Sequence, residues 1–248
     1  MSFILAVDSG NTFIKWGLYT DNLCIKSGRI RYEEILILDE EFSHLPKPDI
    51  VIVSHVARAA TKKQLIKLIS IWNVRHYWVV AQEFQCNVSN SYSIPQQLGS
   101  DRWASLIAAW NISQQACLVI SVGTAMTIDA LTDTGSFLGG IIMPGIELMH
   151  KSLSSHTQLV NINHSSGNYK DFPQNTIDAI ESGVIQCMIG AIDRMYNLLA
   201  LQVDHPVEVC ILTGGGASKL IPYVKTPVRT IENLVLEGLV IIANNLHQ

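Results

Sequence analysis

Residues 3–19 read Phe-Ile-Leu-Ala-Val-Asp-Ser-Gly-Asn-Thr-Phe-Ile-Lys-Trp-Gly-Leu-Tyr. An unbroken apolar run over 3–7 meets five turn-forming residues, Asp8-Ser9-Gly10-Asn11-Thr12, and an apolar-rich extended pattern resumes at Phe13. Turn residues between two apolar runs specify strand, tight turn, strand. The same unit recurs at 117–131, Cys-Leu-Val-Ile-Ser-Val-Gly-Thr-Ala-Met-Thr-Ile-Asp-Ala-Leu. Setting Val7-Asp8-Ser9-Gly10-Asn11-Thr12 over Ile120-Ser121-Val122-Gly123-Thr124-Ala125 superposes Gly10 on Gly123 and aligns the flanking apolar runs. This is a diverged internal duplication. It predicts an α/β chain of two related halves, 1–115 and 116–248, with a cleft between them and a boundary near Gln115.

The rest of the chain supplies strands and helices for such halves. Residues 49–53, 77–81 and 207–212 read as short buried strands. Residues 61–72 have helical spacing, with Leu65, Leu68 and Ile69 on one face, and 102–115 form a second helix carrying Trp103, Leu106 and Trp110. Further helices begin near Thr176 and Leu234. Trp72, Trp78, Trp103 and Trp110 are expected in the core, where large apolar groups usually pack.

Composition narrows the classes of function. The chain has 248 residues, 48% hydrophobic and 15% charged, which suits packed cores and not disorder. A net charge of −4 with no run of Lys and Arg gives no signal for nucleic acid. Apolar stretches such as 235–243 are too short to span a bilayer, and 1–7 lack a basic leader, so a cytoplasmic protein is expected. Five scattered cysteines, Cys24, Cys86, Cys117, Cys187 and Cys210, form no CxxC pair and fit a reducing compartment. His55, His150 and His156 lack metal-ligand spacing, which favours packing or surface roles for them.

The turns carry the chemistry. A phosphate site needs backbone N–H groups aimed at one point; Gly10 permits the tight turn, and Asn11 and Thr12 add side-chain donors. Asp8, at the carboxyl end of its strand, could hold Mg²⁺ through water, and Lys15 could reach a phosphate if the hairpin folds back. Gly123-Thr124-Ala125 offers the same turn from the other half. Thr213-Gly214-Gly215-Gly216-Ala217 leaves room for a base and ribose, or simply links strand to helix. There is no GxxxxGK[ST] and no GxGxxG, which excludes the P-loop class and disfavours a dinucleotide fold. In Gly99-Ser100-Asp101-Arg102, Asp101 could accept a proton from an attacking hydroxyl and Arg102 could grip a carboxylate. The plainer reading of that segment is a helix start, with Ser100 as the cap and Asp101 on the dipole.

Taken together these motifs resemble type III pantothenate kinase, a family of the actin-like ATPase and sugar-kinase superfamily. The resemblance rests on Asp8-Ser9-Gly10-Asn11-Thr12 with Lys15, Gly99-Ser100-Asp101-Arg102, Gly123 to Asp129, Gly139-Gly140 with Pro144-Gly145, Asn175-Thr176 and Thr213-Gly214-Gly215, in family order. It implies two actin-like, ribonuclease H-like halves around a central ATP cleft, and the ATP-dependent phosphorylation of pantothenate to 4′-phosphopantothenate. It implies that Asp8, Ser9, Gly10, Asn11, Thr12, Phe13, Ile14, Lys15 and Thr124 bind ATP, with a divalent cation at Asp8. Asp101 would be the catalytic base. Tyr92, Gly99, Ser100, Asp101 and Arg102 would contact pantothenate, joined by Thr176 from the partner of a homodimer. One departure stands out: where the family has an Asp that helps bind K⁺ or NH₄⁺, this chain has Ser121. Two other readings follow: a non-catalytic regulator like the Bvg accessory factors of the same family, and a kinase for another small hydroxylated acceptor such as a sugar.

Overall fold

The apolar run at the start of the chain becomes strand β1 (Phe3–Ser9), and the resumed run becomes β2 (Phe13–Thr20), its antiparallel neighbour. The computed structural model describes residues 2–156 and 167–246. β3 (Leu23–Arg31) adds to β2 antiparallel. β4 (Ile50–His55) and β5 (Arg75–Trp78) lie parallel on the other side of β1, giving the order β3-β2-β1-β4-β5. Parallel pairing requires crossovers; α1 (Ile37–Ser43) precedes β4 and α2 (Ala59–Ile69) links β4 to β5. β4 ends where the extended pattern meets His55, and β5 is shorter than 77–81. The ladder nevertheless continues one residue past it, since Val79 N–H donates to the Val53 carbonyl at 2.8 Å.

Alternation on β2 sends Ile14, Trp16 and Leu18 into one face of the sheet. There Trp16 meets Phe42 edge-on at 5.6 Å and donates its Nε1 hydrogen to Glu41 at 2.9 Å. Leu65, Leu68 and Ile69 of α2 close this core with Trp72, as the helical spacing predicts. Trp103 is also fully buried. Trp78 and Trp110 are only half-buried, against expectation. Trp78 sits beside the polar end of the sheet, where its ring takes the edge of His55 and the Lys62 ammonium. The short β6 (Phe84–Gln85) and β7 (Val88–Asn90) form a hairpin before α3 (Ser100–Ser113).

The second unit, residues 113–232, repeats this arrangement. β8 (Cys117–Val122), β9 (Ala125–Leu131) and β10 (Ser136–Pro144) are antiparallel, and β11 (Val209–Thr213) and β12 (Val228–Thr230) lie parallel beyond β8. The order β12-β11-β8-β9-β10 matches the first sheet strand for strand. The duplication read from two glycine turns therefore extends to whole sheets. α4 (Ile146–His156), α5 (Thr176–Ala200) and α6 (Ala217–Leu220) accompany this sheet. Val184, Ile185, Met188 and Ile192 of α5 pack on the buried Leu118, Ile120, Met126 and Ile128.

The C-terminal helix α7 (Leu234–Asn245) groups with residues 1–112, although a division at Gln115 would assign it to the later half. Its buried face carries Leu234, Leu236, Leu239, Val240, Ile242 and Ala243, and Tyr19 donates to its Glu237 at 3.3 Å. Leu239→Ala is therefore expected to cost about 2–5 kcal/mol, the range for emptying a closed core position. Urea unfolding followed by the fluorescence of the first unit's tryptophans would check it, and an unchanged midpoint would contradict the packing of α7 on that unit.

Candidate active site

Asp8 and Lys15 are directly opposite one another on β1 and β2, so the hairpin does fold the lysine back toward the carboxylate. The turn between them is closed by Gly10 N–H donating to Phe13 C=O at 3.1 Å. Asn11 is exposed at its tip, and Thr12 and Phe13 are half-buried. Asp8 Oδ1 is buried and has no hydrogen-bond partner. An orphaned carboxylate oxygen is costly unless something else satisfies it. Burial, and then the nearby Asp101 carboxylate, push the Asp8 carboxyl up to about 7, while Lys15 pulls it down.

α3 brings the second carboxylate. Ser100 does not act as the expected cap. Its Oγ lies 3.0 Å from Ser54 Oγ and accepts from His55 N–H at 3.1 Å, which pins the start of α3 to the end of β4. Asp101 Oδ1 accepts from the Arg102 amide at 2.8 Å. A Cβ on Gly99 would come within 2.6 Å of that same oxygen, so only glycine leaves room for Asp101 to fold back. Burial raises the Asp101 carboxyl, and the Arg102 amide and guanidinium hold it down in part. Arg102 is itself buried and donates through Nη1 to Tyr92 Oη at 3.1 Å. Asp8, Lys15, Tyr92, Gly99, Ser100, Asp101 and Arg102 thus gather in one unit.

Sequence reading missed His55, whose position after a strand offered no motif. Its Nδ1 lies 3.0 Å from Ser9 Oγ, which is fully buried, while its backbone amide binds Ser100. One residue therefore ties the first turn to the helix of Asp101. Burial, with Lys62 nearby, lowers the His55 pKa.

In the second unit Gly123 N–H donates to Ala125 C=O at 2.9 Å, closing a turn one residue shorter than the first. Gly145 N–H donates to Thr124 C=O at 2.9 Å, and Gly216 N–H to Val122 C=O at 3.0 Å. Gly214 takes φ +96° against the Val122 backbone, a conformation and an approach that a side chain would block. Ser121, the counterpart of Asp8, is flanked in register by Thr127 and Thr213. Thr176 opens α5 after Asn175, whose Oδ1 caps the Asp178 amide at 2.9 Å. Lys170 at 2.7 Å, the Asn168 amide and Asn175 surround the Asp178 carboxylate and hold it near a pKa of about 2. Thr176 lines an apolar pocket of ≈ 410 Å³ with Met149, Leu153, Ile180 and Val184.

Among the described residues no group of three or more His, Cys, Asp or Glu side chains could enclose a metal. A single carboxylate such as Asp8 is compatible with a divalent ion of the Mg²⁺ type, which keeps most of its waters and takes few protein ligands. His150 faces Glu181 at 3.2 Å. No helix of the described residues is long and apolar enough to cross a membrane.

The raised Asp8 carboxyl has a consequence for stability. A carboxyl protonated in the folded state contributes stability that is complete below about 3.8 and lost as pH rises through about 7. At pH 8 without metal the parent buries a charge that Asp8→Asn lacks, whereas at pH 4 both are neutral. Asp8→Asn should therefore raise the melting temperature at pH 8 and change it little at pH 4. Equal shifts at both pH values, read by scanning fluorimetry, would contradict this.

The family model of type III pantothenate kinase matches residues 4–198. A type III pantothenate kinase from Nitrosospira multiformis is 46% identical over 97% of this chain and 90% of its own length. Another from Nitrosomonas eutropha is 44% identical over 98% and 95%. Among solved structures, a protein described as a Baf family transcriptional activator from Campylobacter jejuni aligns at TM-score 0.62 and 23% identity, over 98% of this chain and all of its own. The ethanolamine utilization protein EutJ from Carboxydothermus hydrogenoformans aligns at 0.56 and 11%, over 99% and 90%. These two likenesses establish the fold, and the family match, together with relatives well above 30% identity across nearly the whole length, makes this chain a member of the type III pantothenate kinase family.

Proposed function

We propose that this chain transfers the γ-phosphoryl group of ATP to the primary hydroxyl of pantothenate, giving 4′-phosphopantothenate in the cytoplasmic route to coenzyme A. The observation that carries the chemistry is the Asp101 carboxylate, half-buried at the start of α3 and held by the Arg102 amide at 2.8 Å. Asp101 accepts the proton of the attacking hydroxyl; burial raises its pKa, which improves it as a base, and the Arg102 amide and guanidinium oppose that rise in part. Arg102, fixed on Tyr92, binds the pantothenate carboxylate, with Gly99 and Ser100 shaping the same pocket. The segment from Asp8 to Lys15 and Thr124 contact ATP. Asp8 holds the divalent ion, which neutralises phosphate charge when bound.

Thr176 serves the pantothenate pocket of the partner in a homodimer. Its exposure on the capped start of α5, beside the exposed Leu153 of α4, supports that role. Ser121 has hydroxyl neighbours, Thr127 and Thr213, on its flanking strands and no carboxylate opposite it. Neutral oxygens attract K⁺ much less than a carboxylate does, so turnover should be the same with and without K⁺. A rate that collapses without K⁺ would show that the hydroxyls still build a cation site.

The deciding experiment is ADP release with ATP, Mg²⁺ and pantothenate. Pantothenate-dependent turnover is expected, and Asp101→Asn should lose about 10²–10⁴-fold in kcat while remaining folded. Near-parent turnover in that variant would remove Asp101 as the base. Turnover with a sugar but not with pantothenate would overturn the substrate.

A further inference from the structure

The charge on the first sheet extends beyond the turn that binds phosphate in the reading above. Lys15 on β2 is directly opposite Asp8 on one side and Arg29 of β3 on the other. Directly paired residues on neighbouring strands project from the same face. Two residues along, Phe13 is opposite Arg31 on that face. The Arg29 guanidinium lies 3.5 Å from the centroid of the Phe13 ring, so the diagonal contact fixes a side chain that is otherwise exposed. Arg31 lies farther off, at 5.7 Å from the same ring.

Like charges placed directly opposite each other destabilise a sheet. Among the described residues no carboxylate forms a salt bridge with Lys15, Arg29 or Arg31. Asp8 draws on Lys15 alone among the cations that act on it. The fold does not require the arrangement. In the second sheet, which repeats the strand order, the positions matching Arg29, Lys15 and Asp8 are Ile142, Thr127 and Ser121. The same three-strand row is neutral there. A cationic row on one copy of a duplicated sheet, at the edge of a glycine turn, has the form of a site for an extended polyanion.

We propose that Arg29 is a nucleotide-binding residue: with Lys15 it grips the polyphosphate chain of ATP, and its stacking on Phe13 presets the guanidinium for that contact. The inference rests on the reading of residues 8–15 as the phosphate turn. Phe13, within the phosphate turn, then also holds Arg29 in place. Arg29 belongs to β3, outside every motif in the sequence, and becomes visible only once strand register is known.

The test is equilibrium binding by calorimetry, with MgATP, inorganic triphosphate and adenosine as separate probes. Arg29→Gln, Arg29→Lys and Lys15→Gln are compared with the parent, their unfolding midpoints measured alongside. Arg29→Gln should weaken MgATP and triphosphate alike by about 10–100-fold, the range for a lost charge-assisted contact. Adenosine affinity should be unchanged, and Arg29→Lys should recover part of the loss, since a point charge replaces the fork. Parent-like triphosphate binding in Arg29→Gln, with Lys15→Gln impaired, would overturn the role of Arg29 and leave the phosphate turn standing. Parent-like binding in both variants would overturn the turn and the inference together. A loss confined to adenosine would overturn the inference by making Arg29 a base contact.

Discussion

Two carboxylates share a partly buried site, and much of the first unit serves to tolerate that. Burial disfavours both the Asp8 and the Asp101 charge, and the Asp101 carboxylate adds to the burden on Asp8. Neither is neutralised by a salt bridge among the described residues. Lys15 and Arg102 act on one carboxylate each, and Asp8 Oδ1 remains without a partner. Such a pair is unfavourable in the free protein, and in the proposed reaction a divalent ion and a polyphosphate would offset that cost. The destabilisation sits where function needs it, and the apolar cores on the other faces of the sheets offset it.

The positioning is done by rigid elements. Asp8 ends a central strand flanked on both sides, and Asp101 lies in the first turn of a helix whose next residues are almost all buried. His55 and Ser100 join these two elements through both backbone and side chain. These bonds link the two carboxylates through their chain neighbours, since Ser9 adjoins Asp8 and Ser100 adjoins Asp101. Gly99 contributes by what it lacks: with a Cβ there, Asp101 would have to leave its bond to the Arg102 amide. A small loss in geometry at such a site is amplified in rate, because phosphoryl transfer depends chiefly on orientation and charge.

Much of this was legible in the chain. The glycine coincidence of Gly10 and Gly123 announced a duplication that the two sheets bear out strand by strand, because apolar runs broken by turn residues leave few alternatives. Asp8, Asp101 and Arg102 were legible because they sit in motifs. Ser100 was legible as a residue but not as a contact. A serine before a helix reads as a cap, and only the approach of β4 turns its hydroxyl to Ser54 and His55. His55 and Arg29 were invisible for the same reason: their partners are 46 and 16 residues away in sequence, and register decides what lies beside them. The half-exposure of Trp78 belongs here too, since its neighbours His55 and Lys62 come from other elements.

The central claim is that Asp8 is held near neutrality by its surroundings, Asp101 included, and is released by cation and nucleotide. A ¹³C-carboxyl NMR titration of Asp8 tests it most directly. The account predicts a midpoint near 7 in the free protein, a lower midpoint in Asp101→Asn, and a fall toward the ordinary carboxylate range on saturation with MgATP. A midpoint near 3.8 in the free protein, unmoved by Asp101→Asn or by MgATP, would contradict it.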